Sequence, residues 1–146
     1  DVDRHVDTDQ LKQSASWVHD LIDREIAQGV PSERIIVAGF SQGGAVSFEA
    51  ALTYPKALAG IMALSTYFAT ADSIEICSIQ NPIPIMIGHG SLDPVVGEAL
   101  GRKSVATLQN LGFNPEYFVY TMEHAVCPKE IADIGAWIGR ILGAAP

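Results

Sequence analysis

The segment that most constrains this chain is the pentapeptide at positions 39–43, Gly-Phe-Ser-Gln-Gly. It follows the apolar run at 35–38 and precedes small residues at 44–48 that can begin a helix. A Gly-x-Ser-x-Gly pentapeptide between a strand and a helix is typical of a strained turn that exposes its serine. Side chains at Gly39 and Gly43 are expected to collide with the neighbouring strand and helix. We therefore predict that Ser41 is a nucleophile, with a helix-capping serine as the alternative.

Composition restricts the class of protein. The chain has 146 residues, of which 48% are hydrophobic, which predicts a single globular domain over 1–146. The formal net charge of −8 disfavours nucleic acid as a partner, and it also disfavours stable association with an anionic membrane. Cys77 and Cys127 lack the spacing of metal ligands, as do the four histidines, so no metal site is predicted. Free thiols in a reducing compartment are expected.

The first predicted helix shows a clear amphipathic pattern. Its apolar residues recur at intervals of three and four: Leu11, Ala15, Val18, Ile22 and Ile26. Thr8 or Asp9 is expected to cap this helix, and Gly29 is expected to end it. Acidic residues crowd its start, where they favour the helix dipole: Asp1, Asp3, Asp7 and Asp9.

The rest of the chain alternates strands with helices. Strands are predicted at 34–38, 58–65, 84–88 and 116–120, helices after position 43 and at 100–111 and 129–142, and a loop at 66–81. Near-continuous apolar strands separated by helices predict an α/β fold. In such a fold a mostly parallel sheet carries helices on both faces.

The loops after these strands carry candidate catalytic residues. In a parallel sheet, active-site groups lie at the carboxyl ends of the strands. Asp93 follows the third predicted strand and His124 the fourth, so the order Ser41, Asp93, His124 is that of an α/β-hydrolase. We predict that Ser41 attacks an acyl carbonyl, His124 transfers the proton and Asp93 orients the imidazole. The backbone N–H of Gln42 is expected to donate to the oxyanion.

Other candidates occupy less suitable positions. Asp72 lies in the predicted loop, and Asp133 lies on the terminal helix. His89 precedes the acid and is expected to support the loop that carries Asp93. A turn residue before Pro94 is the alternative role for Asp93.

Three segments carry a resemblance to a known family. They lie at 39–45 (Gly-Phe-Ser-Gln-Gly-Gly-Ala), 89–96 (His-Gly-Ser-Leu-Asp-Pro-Val-Val) and 122–124 (Met-Glu-His). The chain resembles the phospholipase/carboxylesterase family, which includes small bacterial carboxylesterases and acyl-protein thioesterases. The resemblance implies an α/β-hydrolase fold, hydrolysis of carboxylic esters or thioesters with short to medium acyl chains, no cofactor and a cytoplasmic location. It places the catalytic triad on Ser41, Asp93 and His124. A dienelactone-type hydrolase of the same fold is a rival, but that group typically has a cysteine on the strained turn, so Ser41 disfavours it.

One family feature is missing from the sequence. Members carry, before the nucleophile, a strand ending in His-Gly-Leu-Gly that supplies a second oxyanion N–H, and only 40 residues precede Ser41. The chain thus resembles the carboxyl-terminal two-thirds of a member without the amino-terminal strands. The strand at 34–38 is then expected at an uncovered sheet edge. We expect a separate amino-terminal segment, a cut chain or a second copy at this edge. An inactive hydrolase-like fragment, acting as a subunit or dimerisation module, is the alternative function.

The substrate pocket is less well defined by the sequence. Tyr67 and Phe68 follow the second predicted strand, and Val95 and Val96 lie beside the acid. These four residues are candidates to line an acyl groove, with ordinary core packing as an equal alternative. A small ester or thioester is the expected substrate, while its acyl length and its alcohol or thiol group stay open.

Overall fold

The computed structural model of the chain describes residues 7–143, so Asp1, Asp3 and His5 lie outside the described residues. The helices and strands follow in the order α1 (Thr8–Ala27), β1 (Ile36–Phe40), α2 (Gln42–Thr53), β2 (Gly60–Leu64), β3 (Ile85–Gly90), α3 (Glu98–Asn110), β4 (Glu116–Tyr120) and α4 (Pro128–Leu142). Short 3₁₀ turns lie at Ser32–Arg34 and Ser78–Gln80. No helix within residues 7–143 is both long and apolar enough to cross a bilayer.

The four strands form one parallel sheet in the order β1-β2-β3-β4. Gly39 of β1 pairs with Ala63 of β2, and Ala63 pairs with Ile87 of β3. This register brings the carboxyl ends of the strands to the same side of the molecule. In the described part of the chain β1 is an edge strand, as predicted, and its residues Ala38 and Phe40 are exposed. The loops that follow the strands can therefore meet above one end of the sheet.

Helices cover both faces of this sheet, which confirms the predicted α/β architecture. On one face, strand residues pack with α1, α2 and α3 in a core that includes Val37, Ile61, Ile85, Ile22, Phe48, Leu52 and Leu108. On the other face, the fully buried Trp137 of α4 packs with Met62, Leu64 and Met86. Burying one such large apolar side chain stabilises the fold by about 1.5–3 kcal/mol. Alternate residues of each strand therefore serve opposite layers of the core.

The amino terminus of α1 is capped one position earlier than the sequence predicted. Asp7 has extended backbone angles, and its carboxylate accepts a hydrogen bond from the Gln10 N–H at 3.0 Å. The prediction of Thr8 or Asp9 as the cap was wrong because both residues already lie inside the helix. Gly29 follows the helix with φ of 104°, a conformation that favours glycine, so the predicted stop is confirmed.

The bounds of three strands also differ from the prediction, and β2 covers Gly60–Leu64 rather than 58–65. β1 begins at Ile36 rather than at position 34, because the chain first makes the 3₁₀ turn that ends at Arg34. β3 continues to Gly90 and therefore includes His89, which lies just beyond the predicted strand end at position 88. The strand at 116–120 is found as predicted. The extension of β3 places the His89 side chain in the interior rather than on a loop.

Candidate active site

Ser41 lies on the sharp turn between β1 and α2. Its backbone angles, φ 56° and ψ −122°, are rare for a residue with a side chain and cost about 1–3 kcal/mol. The turn is held by hydrogen bonds from the Ser41 N–H to the Leu64 carbonyl (2.9 Å) and from the Gly44 N–H to the Ser41 carbonyl (3.0 Å). The Ser41 hydroxyl makes no capping hydrogen bond to α2. This geometry matches the predicted strained turn and not a helix-capping serine.

The glycines around this turn have different reasons for lacking a side chain. A Cβ atom at Gly39 would overlap the carbonyl of Gly43, so the predicted collision is confirmed at this position. At Gly43 a Cβ atom would enter open space, so the predicted collision there was wrong. Gly44 is the crowded neighbour, because a Cβ atom there would overlap the Thr66 side chain. The first turn of α2 therefore packs closely on the loop after β2 through Gly44.

Three predicted site residues meet above the carboxyl ends of β1, β3 and β4. The Ser41 Oγ lies 3.1 Å from Nε2 of His124. On the other side of the ring, Nδ1 of His124 lies 2.7 Å from Oδ2 of Asp93. The phenyl ring of Phe40 lies 4.8 Å from the His124 ring and tilts 48° from it. The side chains thus form a continuous hydrogen-bonded row from hydroxyl to imidazole to carboxylate.

The protonation states of Asp93 and His124 follow from their hydrogen-bond partners. Oδ1 of Asp93 accepts hydrogen bonds from the N–H groups of Val95 (2.8 Å) and Val96 (2.9 Å). Burial acts to raise the pKa of Asp93, but hydrogen bonds from His124 and the two amides, with the His124 charge, lower it below its ordinary 3.8. An ionised carboxylate only accepts hydrogen bonds, so Nδ1 of His124 carries a proton. Nε2 is then free to accept the proton of Ser41.

Gln42, the predicted oxyanion donor, directly follows Ser41. It is the first residue of α2, and its N–H has no hydrogen-bond acceptor among residues 7–143. A free amide at a helix amino terminus carries partial positive charge that attracts an anion. This N–H can therefore donate to negative charge that develops on a carbonyl oxygen at Ser41.

A cavity of about 360 Å³ opens beside Ser41. Its walls come from the start of α1, the start of α2, the loop after β2 and the turn after β3: Asp7, Gln10, Leu11, Ser14, Gln42, Ala45, Val46, Tyr67, Ala69 and Val96. Sequence reasoning missed the contribution of α1, because helical periodicity does not show which turn of a helix faces a distant serine. A cavity that combines apolar walls with a few polar groups is typical of a small-molecule site.

Only two of the four candidate pocket residues line this cavity. Tyr67 and Val96 do so, whereas Phe68 is buried in the core with its ring 5.2 Å from that of Phe48. Val95 is 52% exposed and also lies outside the cavity walls. The packing alternative therefore applies to Phe68, and Val95 contributes its backbone N–H to Asp93 instead.

The rival candidates lie elsewhere. Asp72 is exposed in the loop after β2. Asp133 accepts a hydrogen bond from the Tyr120 hydroxyl at 2.7 Å. His89 is fully buried, and its Nε2 lies 2.8 Å from the Val96 carbonyl oxygen rather than near Ser41. Within residues 7–143, no group of three or more His, Cys, Asp or Glu side chains is placed to hold a metal ion.

Glu130 is a buried carboxyl group that sequence reasoning missed. It lies in the first turn of α4, is fully buried, and neither of its side-chain oxygens has a hydrogen-bond partner among the described residues. Burial, and then the nearby charge of Asp133, raise the pKa of Glu130 to about 7. A Cβ atom at Gly88 of β3 would overlap Oε2 of Glu130, so this glycine leaves room for the carboxyl group. A buried carboxyl of this kind cannot be recognised from one sequence because most glutamates are exposed.

Known proteins resemble this chain in sequence and in fold. The profile of the family described as Phospholipase/Carboxylesterase matches residues 1–142. The chain belongs to the phospholipase/carboxylesterase family. A solved structure of SOBER1 from Arabidopsis thaliana has a TM-score of 0.89 and 30% identity, covering 97% of this chain and 69% of its own.

Two curated relatives extend this comparison. Acyl-protein thioesterase 1 of Gibberella zeae is 36% identical over 144 residues, which cover 95% of this chain and 61% of the relative. A probable carboxylesterase of Oryza sativa subsp. japonica is 37% identical over 130 residues, covering 87% of this chain and 49% of the relative. The chain thus spans about half to three-fifths of the length of these relatives.

Proposed function

We propose that this chain is a serine hydrolase that cleaves carboxylic esters or thioesters of short to medium acyl chains. The observation that carries the proposal is the hydrogen-bonded row of Ser41, His124 and Asp93 beside the cavity. Along the chain these residues follow in the order Ser41, Asp93, His124, and a serine, an acid and a histidine in this order are typical of α/β-hydrolases. The names of the relatives, acyl-protein thioesterase and probable carboxylesterase, support the same reaction class.

The geometry supports a two-stage reaction. In the first stage, the Ser41 oxygen attacks the acyl carbonyl while its proton passes to Nε2 of His124. The N–H of Gln42 donates to the resulting oxyanion. His124 then gives the proton to the departing alcohol or thiol, and the acyl group remains on Ser41. In the second stage, water attacks the acyl-enzyme and His124 takes its proton. His124 then gives this proton to the Ser41 oxygen as the bond between that oxygen and the acyl carbon breaks, so the carboxylic acid leaves and the Ser41 hydroxyl is restored.

Asp93 has a supporting role in both stages. Its carboxylate fixes the imidazole through the 2.7 Å hydrogen bond and stabilises the positive charge that His124 acquires. Its lowered pKa keeps it ionised at neutral pH.

The acyl group would occupy the cavity beside Ser41, where Leu11, Val46 and Ala69 provide apolar walls. The free cysteines Cys77 and Cys127 fit a reducing compartment such as the cytoplasm, which is part of this proposal.

Covalent labelling with a fluorophosphonate probe tests the proposal. The probe should modify the chain once, and mass spectrometry of the digested protein should place the modification on Ser41. The variant Ser41→Ala should not react. Ser73→Ala is the matched control, because Ser73 is exposed in the loop after β2, and it should react like the unsubstituted chain. A folded chain that resists the probe, or a Ser41→Ala variant that still reacts, would contradict the proposal.

A non-enzymatic role is the second candidate, and the exposed edge of β1 is the observation that favours it. The strand has β2 on one side, and Ala38 and Phe40 are exposed at this edge of the described sheet. An uncovered apolar edge can pair with another strand. In this alternative the chain is an inactive subunit that pairs with a separate segment or a second copy. Analytical ultracentrifugation measures whether the chain pairs with a second copy. A folded monomer would exclude self-pairing, and a folded monomer that is also inactive would exclude catalysis by the isolated chain.

A further inference from the structure

His89 is the second histidine of the site, and the proposed reaction does not use it. It lies in β3, is fully buried, and its Nε2 is 3.7 Å from Oδ2 of Asp93, which is too long for a hydrogen bond. Its one hydrogen-bond partner among residues 7–143 is the Val96 carbonyl oxygen at 2.8 Å. A carbonyl oxygen only accepts, so Nε2 carries the proton. Nδ1 is buried without a partner in the same part of the chain.

The partner of His89 belongs to the turn that binds the acid. The N–H of Val96 donates to Oδ1 of Asp93 at 2.9 Å, and the carbonyl of the same residue accepts from His89. Val96 is therefore held on both sides, by the carboxylate through its N–H and by β3 through its carbonyl. This arrangement keeps Oδ1 occupied by amides and leaves Oδ2 for His124.

The structure assigns His89 as a positioning residue that fixes Asp93 through the Val96 carbonyl, an inference that rests on the proposed function. His89 does not itself line the cavity and makes no hydrogen bond to Ser41; it contacts the wall residue Val96 through its backbone carbonyl. Its Nε2–H anchors the turn at 94–97 to the sheet, and the amides of this turn hold the carboxylate. The carboxylate in turn orients His124. The contacts thus lead from His89 in β3 to the turn at 94–97, from this turn to Asp93, and from Asp93 to His124.

Gly101 of α3 makes room for this arrangement. A Cβ atom at Gly101 would lie 2.6 Å from Nδ1 of His89 and 3.2 Å from two carbons of the ring. Such distances are shorter than van der Waals contact, so a methyl group there would displace the imidazole. Gly101 therefore offers a way to move the His89 ring without changing residue 89. Gly139 of α4 has open space around it and is a matched control helix glycine.

Two variants of His89 test the assignment. In His89→Gln the side-chain amide can donate to the Val96 carbonyl, and in His89→Phe the buried carbonyl loses its donor. Two readouts are measured in chains shown to be folded by circular dichroism. They are the rate of fluorophosphonate labelling and the downfield proton resonance of the His124–Asp93 hydrogen bond. We expect His89→Phe to slow labelling by about tenfold or more and to shift or abolish the resonance. We expect His89→Gln to retain both within about threefold.

If His89→Phe does not fold, the variants Gly101→Ala and Gly139→Ala test the same assignment. Gly101→Ala should weaken the resonance and slow labelling, while Gly139→Ala should leave both unchanged. A folded His89→Phe or Gly101→Ala chain that matches the unsubstituted chain in both readouts overturns the assignment, as does a folded His89→Gln chain that loses both. The failure of the proposed function is separate: the unsubstituted chain would then resist the probe, while the resonance would still report on the position of Asp93.

Discussion

The hydroxyl oxygen of Ser41 and Nε2 of His124 are 3.1 Å apart, although 83 positions separate these residues in the chain. Ser41 follows β1 at one edge of the sheet, and His124 follows β4 at the other edge. The pair meets because all strands are parallel and the loops after them rise on the same side. A base at hydrogen-bond distance from a serine on a strained turn is the arrangement that nucleophilic catalysis requires.

Removing the negative charge of Asp93 should prevent His124 from accepting the proton of Ser41. In Asp93→Asn the new amide can donate to Nδ1 of His124, which would place the imidazole proton on Nε2, where it blocks transfer from Ser41. We expect kcat for p-nitrophenyl butyrate to fall by about 10,000-fold. Asp72→Asn is the matched control, because Asp72 is exposed and lies outside the row, and it should retain activity. An Asp93→Asn chain with more than a tenth of the original kcat would contradict the role of Asp93.

The buried Glu130 should make stability depend on pH. Its pKa is raised from 4.5 to about 7, so the folded state keeps a proton that the unfolded state releases between these values. The free energy of unfolding should therefore decrease as pH rises from about 4.5 to about 7, by on the order of 3 kcal/mol. Above pH 7 this group should add no further change.

Urea unfolding at several pH values measures this effect. Glu130→Gln cannot ionise, so its free energy of unfolding should lose most of the decrease between pH 5 and pH 7. Glu33→Gln is the control, because Glu33 is exposed on the 3₁₀ turn before β1 and should keep the original slope. If Glu130→Gln and the unsubstituted chain show the same slope, the carboxyl is not protonated in the folded state.

The two glycines after Gln42 should respond differently to alanine. Gly44→Ala places a methyl group on the Thr66 side chain and should lower the free energy of unfolding by about 1–3 kcal/mol. Gly43→Ala places it in open space and should be neutral or stabilising by up to about 1 kcal/mol, because alanine favours the helix. Chemical denaturation of both variants checks the difference, and equal losses of stability would show that Gly43 is also crowded.

Filling the cavity should change which esters are cleaved. Ala69 lines the cavity beside Ser41, and in Ala69→Phe a ring would occupy part of the proposed acyl site. We expect kcat/KM for p-nitrophenyl octanoate to fall by about tenfold or more, with a change below about threefold for the acetate. The acetate serves as the control within the same variant, since it tests the triad without a long chain. A parallel loss for both esters would mean that the acyl chain binds elsewhere.

Local patterns in the sequence were sufficient for the framework of this protein. Apolar runs separated by helical periodicity predicted the parallel sheet with helices on both faces, and the strand at 116–120 is found as predicted. The strained turn at Ser41 was predicted because its requirements are local: a strand before it, a helix after it and no side chain at Gly39. The order of Ser41, Asp93 and His124 needed only the rule that loops after parallel strands share one end of the sheet.

Tertiary structure decided the contacts that no local pattern contains. Gly44 rather than Gly43 is crowded because the loop after β2 crosses one particular side of α2. Phe68 turns into the core while Tyr67 lines the cavity, and the first turns of α1 complete its wall. The burial of Glu130 depends on the packing of α4 against the sheet, and the hydrogen bond from His89 to Val96 depends on how the turn after β3 folds back over that strand. Periodicity determines which face of an element is buried, whereas sheet register and helix packing determine which distant residues meet there.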